Sequence, residues 1–291
     1  MGAHRSTRSN RAGCTKAELR ELLTRRWWRF GDLGQGRRDH RRGVRLHAEV
    51  LVQRLFPVLL LVAVVVAVPC AGEIRFEPQF TVSELTALSE AIADALAFPN
   101  LGPAAASGLT GFEILAAGGG PRVATSSRWW RYGVQGSTTA GLMAGGRAIV
   151  RKGLPLRLDV GAQYGTLLGE RFWGVEARWA LLEGGVIEPG LAVRGSYSRF
   201  EQSDVMEVEV SEVQLVLSKG FTLLTPYVAG GYRRVNSRGY FGDLVPQWWD
   251  VEAERWTAVG GVRLNLLPFR VVGEVKRAHG TSLFVGVGVG L

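Results

Sequence analysis

Leu156, Leu158, Val160, Ala162 and Tyr164 alternate with Arg157, Asp159, Gly161 and Gln163, apolar groups on one side and charged or small ones on the other. The same period of two recurs from about Leu109 to Leu291, in segments parted by short turns. A strand crosses a bilayer only within a closed barrel, where its backbone is fully paired, one face meets lipid and the other a polar lumen. The pattern therefore predicts an all-β fold, a transmembrane antiparallel up-and-down β-barrel of about ten strands. Eight strands is the alternative if two segments are loops. A soluble barrel with the two faces exchanged is the architectural rival, because periodicity alone does not tell inside from outside.

The charge distribution bears on that choice. The chain of 291 residues has a formal net charge of +9, which in a folded domain would point to nucleic acid. Residues 1–54 hold 14 basic and 5 acidic side chains, and residues 55–291 hold 21 of each. The excess lies wholly before the folded part, so no nucleic-acid partner is expected. Leu55 to Val68, LFPVLLLVAVVVAV, is too short for a transmembrane helix of about 20 residues and suits the apolar core of a secretory signal. Cleavage is expected near Cys70-Ala71-Gly72, with an uncleaved anchor or lipidation of Cys70 as alternatives, the latter poorly served by Pro69. The mature chain would then contain no cysteine. The expected organisation is a basic leader over 1–49, disordered or lying before the true start, a signal peptide over 50–72, a periplasmic lead over 73–108, and a barrel over 109–291.

Within the lead, Thr81-Val82-Ser83-Glu84 forms a capping box, and Leu85, Leu88, Ile92 and Leu96 follow at helical spacing. This predicts a helix over 82–97, stopped by Pro99. Its place before the first strand puts it on the periplasmic side, packed on the turns, with a gating plug as the alternative. The strands are expected at 109–118, 137–151, 156–165, 171–182, 190–200, 206–218, 221–234, 251–266, 269–277 and 282–291. In the sixth, Val208 and Val210 share one parity and Val213, Leu215 and Leu217 the other, which predicts a bulge near Ser211. The long links, 119–136 and 235–250, follow strands 1 and 7. Both are odd, as expected if long loops lie outside and short turns in the periplasm.

Gly108-Leu109-Thr110-Gly111-Phe112-Glu113, Lys152-Gly153-Leu154-Pro155 with Asp159-Val160-Gly161, and Trp179-Ala180-Leu181-Leu182-Glu183-Gly184-Gly185 through Pro189 to Arg194-Gly195-Ser196-Tyr197 resemble a family of uncharacterised proteobacterial outer-membrane β-barrel proteins. Ser218-Lys219-Gly220-Phe221 with Thr225-Pro226-Tyr227 fits the same family. The resemblance covers about Leu96 to Leu291. It implies an exported barrel, inserted with the help of the barrel-assembly machinery, and supplies no catalytic residue. Such barrels usually end in an aromatic residue, and this chain ends in Leu291, a departure that bears on insertion rather than fold.

The expected lumen-facing charged set is Arg157, Asp159, Glu176, Arg178, Arg194, Glu212, Arg263, Arg270, Glu274 and Lys276. In a narrow barrel these side chains fill the interior as ion pairs, the alternative being the lining of a small pore. Trp129, Trp130, Trp173, Trp179, Tyr197, Trp248, Trp249 and Trp256 are expected in aromatic girdles or loops, with Tyr132, Tyr240 and Phe241 beside them. Arg128, Arg131, Arg233, Arg234 and Arg238 nearby suit the phosphates of lipopolysaccharide, the expected lipid partner. His279 is the one histidine of the mature chain and has no acidic orienter in its sequence neighbourhood, so an outer-surface lipid enzyme is the weakest reading. No metal or other cofactor is expected. The expected protein is a non-enzymatic, envelope-structural or surface-contact barrel of the outer membrane, with a narrow solute channel as the alternative.

Overall fold

The computed structural model describes residues 72–291, apart from 137, 139, 140, 185–187, 203, 204, 242–246, 267 and 291. The leader, most of the signal segment, Cys70 and Leu291 lie outside the described residues. The elements are β1 (Gly72–Ile74), α1 (Val82–Leu96), β2 (Phe112–Pro121), α2 (Arg128–Gly133), β3 (Val134–Gly136), β4 (Gly145–Leu154), β5 (Leu158–Leu167), β6 (Glu170–Leu182), β7 (Gly190–Gln202), β8 (Met206–Ser218), β9 (Leu224–Phe241), β10 (Gln247–Leu266), β11 (Phe269–Arg277) and β12 (Thr281–Gly290). Ten of the strands, β2 and β4 to β12, close into one antiparallel barrel. Each pairs with its successor, and β12 closes on β2 from Ser282↔Pro121 to Gly290↔Glu113. From Ala258↔Arg277 down to the turn end the ladder between β10 and β11 is closed, as a span through hydrocarbon demands, while residues 247–257 of β10 pair on the β9 side.

One end of the barrel carries the connections 155–157, 183–189, 219–223 and 267–268, together with the start of β2 and the end of β12. This is the turn end. The opposite, loop end carries the 122–144 connection, which holds α2 and β3. The link expected over 235–250 is mostly paired strand, because β9 and β10 stay in register out to Phe241↔Gln247.

The two faces of the strands settle the soluble rival. Val193, Val213, Leu215, Val228, Trp256, Val262, Leu264 and Val275 point outward and exposed, while Arg194, Glu212, Arg233, Glu274 and Lys276 are buried inside. Apolar groups outside and charges inside suit lipid as the surrounding solvent. The outward apolar face ends along one line. On β10 the outward residues are Trp248, Asp250, Glu252 and Glu254, then Trp256, Ala258, Gly260, Val262 and Leu264. The apolar stretch from Trp256 to Leu266 has the 9–11 residues that a tilted strand needs to span the core.

Neighbouring strands switch at the same level, between Tyr232 and Arg234 on β9, Ser211 and Val213 on β8, and Tyr197 and Arg199 on β7. Beyond that line, toward the loop end, the outward face is ionic. Arg199 pairs with Glu209 at 3.2 Å, Arg238 with Asp250 at 2.8 Å, and Arg234 with Glu252.

This boundary explains the phase change in β8. There is no bulge: β8 runs in unbroken register against β7 and β9. Met206, Val208 and Val210 point inward, and so do Glu212 and Gln214 further along. Above the boundary the barrel has an apolar inside and a charged outside. Within the bilayer the two are exchanged. The sequence alters its parity where the solvent changes.

What fills the upper interior is α1. Its capping box forms as expected, with the Thr81 side chain accepting from the Glu84 amide and Glu84 accepting from Thr81. The helix lies inside the barrel at the loop end, not under the turns. From Leu88 to Leu96 every residue is buried, so the helix is enclosed on all sides. Leu85, Leu88, Ile92 and Leu96 pack with Phe172, Phe200, Met206, Val208, Val210 and Val235 of the wall. Its second half is rich in alanine, and Gly239 gives way to Leu85, whose Cδ1 would lie 2.7 Å from a Cβ there.

The turn between β4 and β5 departs from expectation. Leu156 and Arg157, read as the start of a strand, are turn residues with φ of 62° and 61°. Arg157 is therefore not in the lumen; it pairs with Glu183 at 3.1 Å in solvent. Each left-handed L-residue costs about 1–2 kcal/mol, so Leu156→Asn combined with Arg157→Gly is expected to stabilise the barrel by about 1 kcal/mol or more. The midpoint of urea unfolding, followed by the heat-modifiable gel band, reads this; an unchanged or lower midpoint would count against strain at the turn.

Candidate functional site

From Ala97 the chain leaves α1, runs on through the membrane-level lumen toward Ser107, and passes through exposed residues at the turn end to Gly111, where it enters β2. A segment outside a ladder leaves its own amides and carbonyls unpaired, and in a water-poor interior each must find a partner. The wall supplies them. Arg147 donates to the carbonyls of Ala95 and Ala97, the second at 3.2 Å. Gln163 donates to Leu96 at 3.0 Å, and Arg194 to Phe98 at 2.8 Å. Arg151 donates to Asn100 at 2.7 Å and more weakly to Leu101 at 3.3 Å; Arg178 donates to Pro103 at 2.8 Å.

In the other direction, the amides of Asn100 and Leu101 donate to Glu274 at 3.1 and 2.7 Å. The Ala104 amide donates to Ser218 Oγ at 3.0 Å, and the Ser107 amide to Asp159 at 3.1 Å. Phe98 lies under the guanidinium groups of Arg151 and Arg194, at 5.8 and 5.3 Å. It is buried with Leu101, Ala104, Ile149, Val216, Tyr227 and Phe284 in a second apolar cluster.

The guanidinium groups are held in turn by carboxylates. Glu176 takes Arg151 at 2.5 Å and Arg194 at 2.6 Å, with Arg178 at 3.9 Å. Glu113 takes Arg151 at 3.1 Å, Arg270 at 2.7 Å, and Arg263. Lys276 donates to Glu212 at 2.5 Å, and Tyr227 donates to Glu274 at 2.8 Å. Alternating sign compensates most of the crowded charged interior, while buried Arg147 is held by the carbonyls of Ala95 and Ala97 and by Gln163. The lumen is thus a peptide-binding cradle, occupied by the protein's own chain.

Of the residues expected in the lumen, Asp159, Glu176, Arg178, Arg194, Glu212, Arg263, Glu274 and Lys276 are buried there, and Arg270 is partly so. Arg147, Arg151, Glu113 and Gln163 join them without having been expected. Their parity on β2, β4 and β5 carried the signal, since each faces the side opposite the lipid-facing residues. Arg233, expected at an outer loop, is wholly buried and pairs with Asp94 of α1 at 2.5 Å.

The aromatic residues divide by place. Trp173 and Tyr197 (centroids 5.7 Å apart) and Tyr232 and Trp256 (5.4 Å) form a row on β6, β7, β9 and β10 at the upper apolar boundary, while Trp179 lies near the turn end. The Tyr232 hydroxyl donates to Glu254 at 2.5 Å, as suits a ring with one apolar and one wet end. Trp248 and Trp249 lie beyond that row on the protruding ribbon, about 30 Å of strand at roughly 3.3 Å per residue. Trp129 and Trp130 belong to α2, where Trp130 is buried in the cluster that closes over α1. The Phe241 side chain lies outside the described positions.

The helix is tied to the loop end by charge. Glu90 accepts from Arg255 at 2.6 Å and pairs with His279 Nδ1 at 2.7 Å, and Asp94 also accepts from the Gly280 amide at 2.6 Å. His279 therefore does have an acidic neighbour, 189 residues away in sequence and invisible to a local reading. A cavity of about 190 Å³ beside it is lined by Ala91, Asp94, Pro121, Arg122, Val123, Ala124, Trp129 and Gly280. That lining offers no hydroxyl or thiol to serve as nucleophile. Among the described residues no group of three His, Cys, Asp or Glu is placed to hold a metal ion.

At the helix start, Arg128 of α2 donates to Glu84 at 2.7 Å. Burial opposes ionisation of Glu84, but the bonds from Arg128 and Thr81 outweigh it and hold the carboxyl below its ordinary range. A folded value below the unfolded one gives stability that is present above about pH 4.3 and lost as pH falls through the folded value. Protease resistance of the loop-end cap is accordingly expected to fall in acid in the parent, and to be lower but insensitive to acid at this step in Glu84→Gln. Equal acid sensitivity in both would remove Glu84 from the account.

Fold and site together define a transmembrane β-barrel with a lumen filled by its own N-terminal segment. Solved structures with a similar fold include the N-terminal β-barrel domain of Pseudomonas aeruginosa OprF (13% identity, 63% of this chain, 99% of that one, TM-score 0.34). Ail, the attachment invasion locus protein of Yersinia pestis, matches at 10% identity over 62% and 99% of the two chains, with a TM-score of 0.33. KdgM porin matches at 10% over 61% and 98%, also at 0.33. No protein-family model matches the chain, and neither does any curated protein.

Proposed function

We propose that this is a non-conducting, non-enzymatic barrel of the bacterial outer membrane that supports the envelope or makes surface contacts. The observation that carries the reading is the occupied lumen. Residues 82–107 fill it from loop end to turn end, and the wall hydrogen-bonds their backbone along the way. A diffusing solute would have to displace a segment held by several charge-assisted bonds, each worth about 1.5–3 kcal/mol.

Surface contact would fall to what stands above the bilayer, the β9–β10 ribbon with Trp248 and Trp249, and the α2 cap. Arg128 and Arg131 on that cap suit the phosphates of lipopolysaccharide. Insertion would depend on the barrel-assembly machinery, as for other closed outer-membrane barrels. Planar-bilayer recording of the purified intact protein tests the reading. A silent membrane is the expected result, and steady single-channel steps would replace it with the narrow channel.

A further inference from the structure

We infer that the barrel carries its own N-terminal segment through the membrane and displays residues 72–81 on the outer face of the cell. This deepens the filled-lumen reading above and rests on it. The direction of the chain is the starting point. Ser107, at the low end of the lumenal segment, is bound by Asp159 beside the β4–β5 turn. Going back toward the N-terminus, Asn100 sits at mid-lumen between Arg151, Arg178 and Glu274, and Asp94 meets Arg233 and Gly280. Glu84 then meets Arg128 in the long loop-end connection.

The segment before the helix continues at that same end. β1 pairs with β3 from Gly72↔Gly136 to Ile74↔Val134. The Arg75 amide donates to Gly133 at 3.1 Å and the Glu77 amide to Tyr132 at 2.9 Å. Phe76 stacks on Phe80 at 4.7 Å, and Phe80 packs against Gly133. Residues 72–81 therefore belong to the loop-end cap, on the far side of the membrane from the start of β2. Gln163, level with the Trp173–Tyr197 row, binds Leu96, and Asp159 beside the β4–β5 turn binds Ser107, so the residues between descend the lumen from the upper apolar boundary to the turn end.

The loop end is the outer end on two grounds. It carries the 23-residue connection 122–144, the long link of the barrel, while the other connections at both ends run to seven residues or fewer. It is also the end where the strands rise past the aromatic row with ionic outward faces, a form suited to water outside the membrane. A lead expected in the periplasm from sequence order thus emerges on the opposite side. The lumen that a porin would open to solute holds a single peptide in this barrel, which acts as a display device for its own N-terminal segment.

Single-cysteine labelling on intact cells with a membrane-impermeant maleimide tests this, in full-length chains compared with the labelling of the parent. Gln79→Cys probes the displayed segment, Ser126→Cys marks the loop end, and Glu188→Cys marks the turn end; all three positions are exposed. The expected result is that Gln79→Cys and Ser126→Cys label on intact cells, while Glu188→Cys labels only after permeabilisation. If Ser126→Cys labels and Gln79→Cys is protected together with Glu188→Cys, the threading is overturned. If Glu188→Cys labels and Ser126→Cys does not, the barrel is inverted and display is overturned. In either case the bilayer recording still reports separately on whether the lumen is filled.

Discussion

Removing residues 82–107 is expected to turn a silent barrel into a conducting one. The wall left behind is polar and presents eight basic groups to the emptied lumen: Arg147, Arg151, Arg178, Arg194, Arg233, Arg263, Arg270 and Lys276. Against them stand five acidic groups, Glu113, Asp159, Glu176, Glu212 and Glu274. Guanidinium groups released from backbone carbonyls would be resolvated by water, and the excess of positive charge predicts a preference for anions. Single-channel steps with an anion-selective reversal potential are the expected record. A second variant keeps the wall and the segment intact: Glu90→Ala with Asp94→Ala releases the helix from Arg255, His279, Arg233 and Gly280. That variant is expected to flicker between closed and open levels. Silence from a deletion variant that is inserted and heat-modifiable would mean that something other than this segment closes the lumen.

The second large effect concerns Glu176. Its carboxylate is shared by Arg151, Arg194 and Arg178 at the centre of the lumen, where all four side chains are 5% exposed or less. Glu176→Gln keeps the shape and removes the charge, leaving three guanidinium groups with too little compensation. Removing one partner from a buried ionic group costs about 3–5 kcal/mol, and the shared position puts this site in the upper part of that range. The urea midpoint of the folded, fast-migrating band is expected to drop steeply. Glu209→Gln serves as the comparison, since it removes an outward pair with Arg199 in which both side chains are about a third exposed. Such a partly exposed pair is worth about 1 kcal/mol or less. Equal losses in the two variants would mean that the lumenal network contributes no more than a surface pair.

Much of the barrel is legible in the sequence because its cause is local. Alternation over ten segments follows from the geometry of a strand between two media, and Thr81 with Glu84 set the helix start to the residue. The basic leader can be set aside from position alone. Inward parity likewise picks out Glu176, Arg194 and Lys276 without any knowledge of their partners.

The tertiary structure decided what depends on partners distant in sequence. Periodicity does not say which face is wet; the closed ring with Leu215 and Trp256 outside and Arg194 inside does. Glu90 and His279 lie 189 residues apart, and no local pattern joins them. The parity change in β8 reads as a bulge because the sequence does not reveal that the same strand crosses two solvents. The helix reads as packed on the turns because order along the chain is a poor guide to position in space. An amphipathic stripe shows that a helix must bury a face. Only the assembled barrel offers an interior apolar above the membrane line and charged below it, and that interior draws the helix in and binds the backbone that follows it.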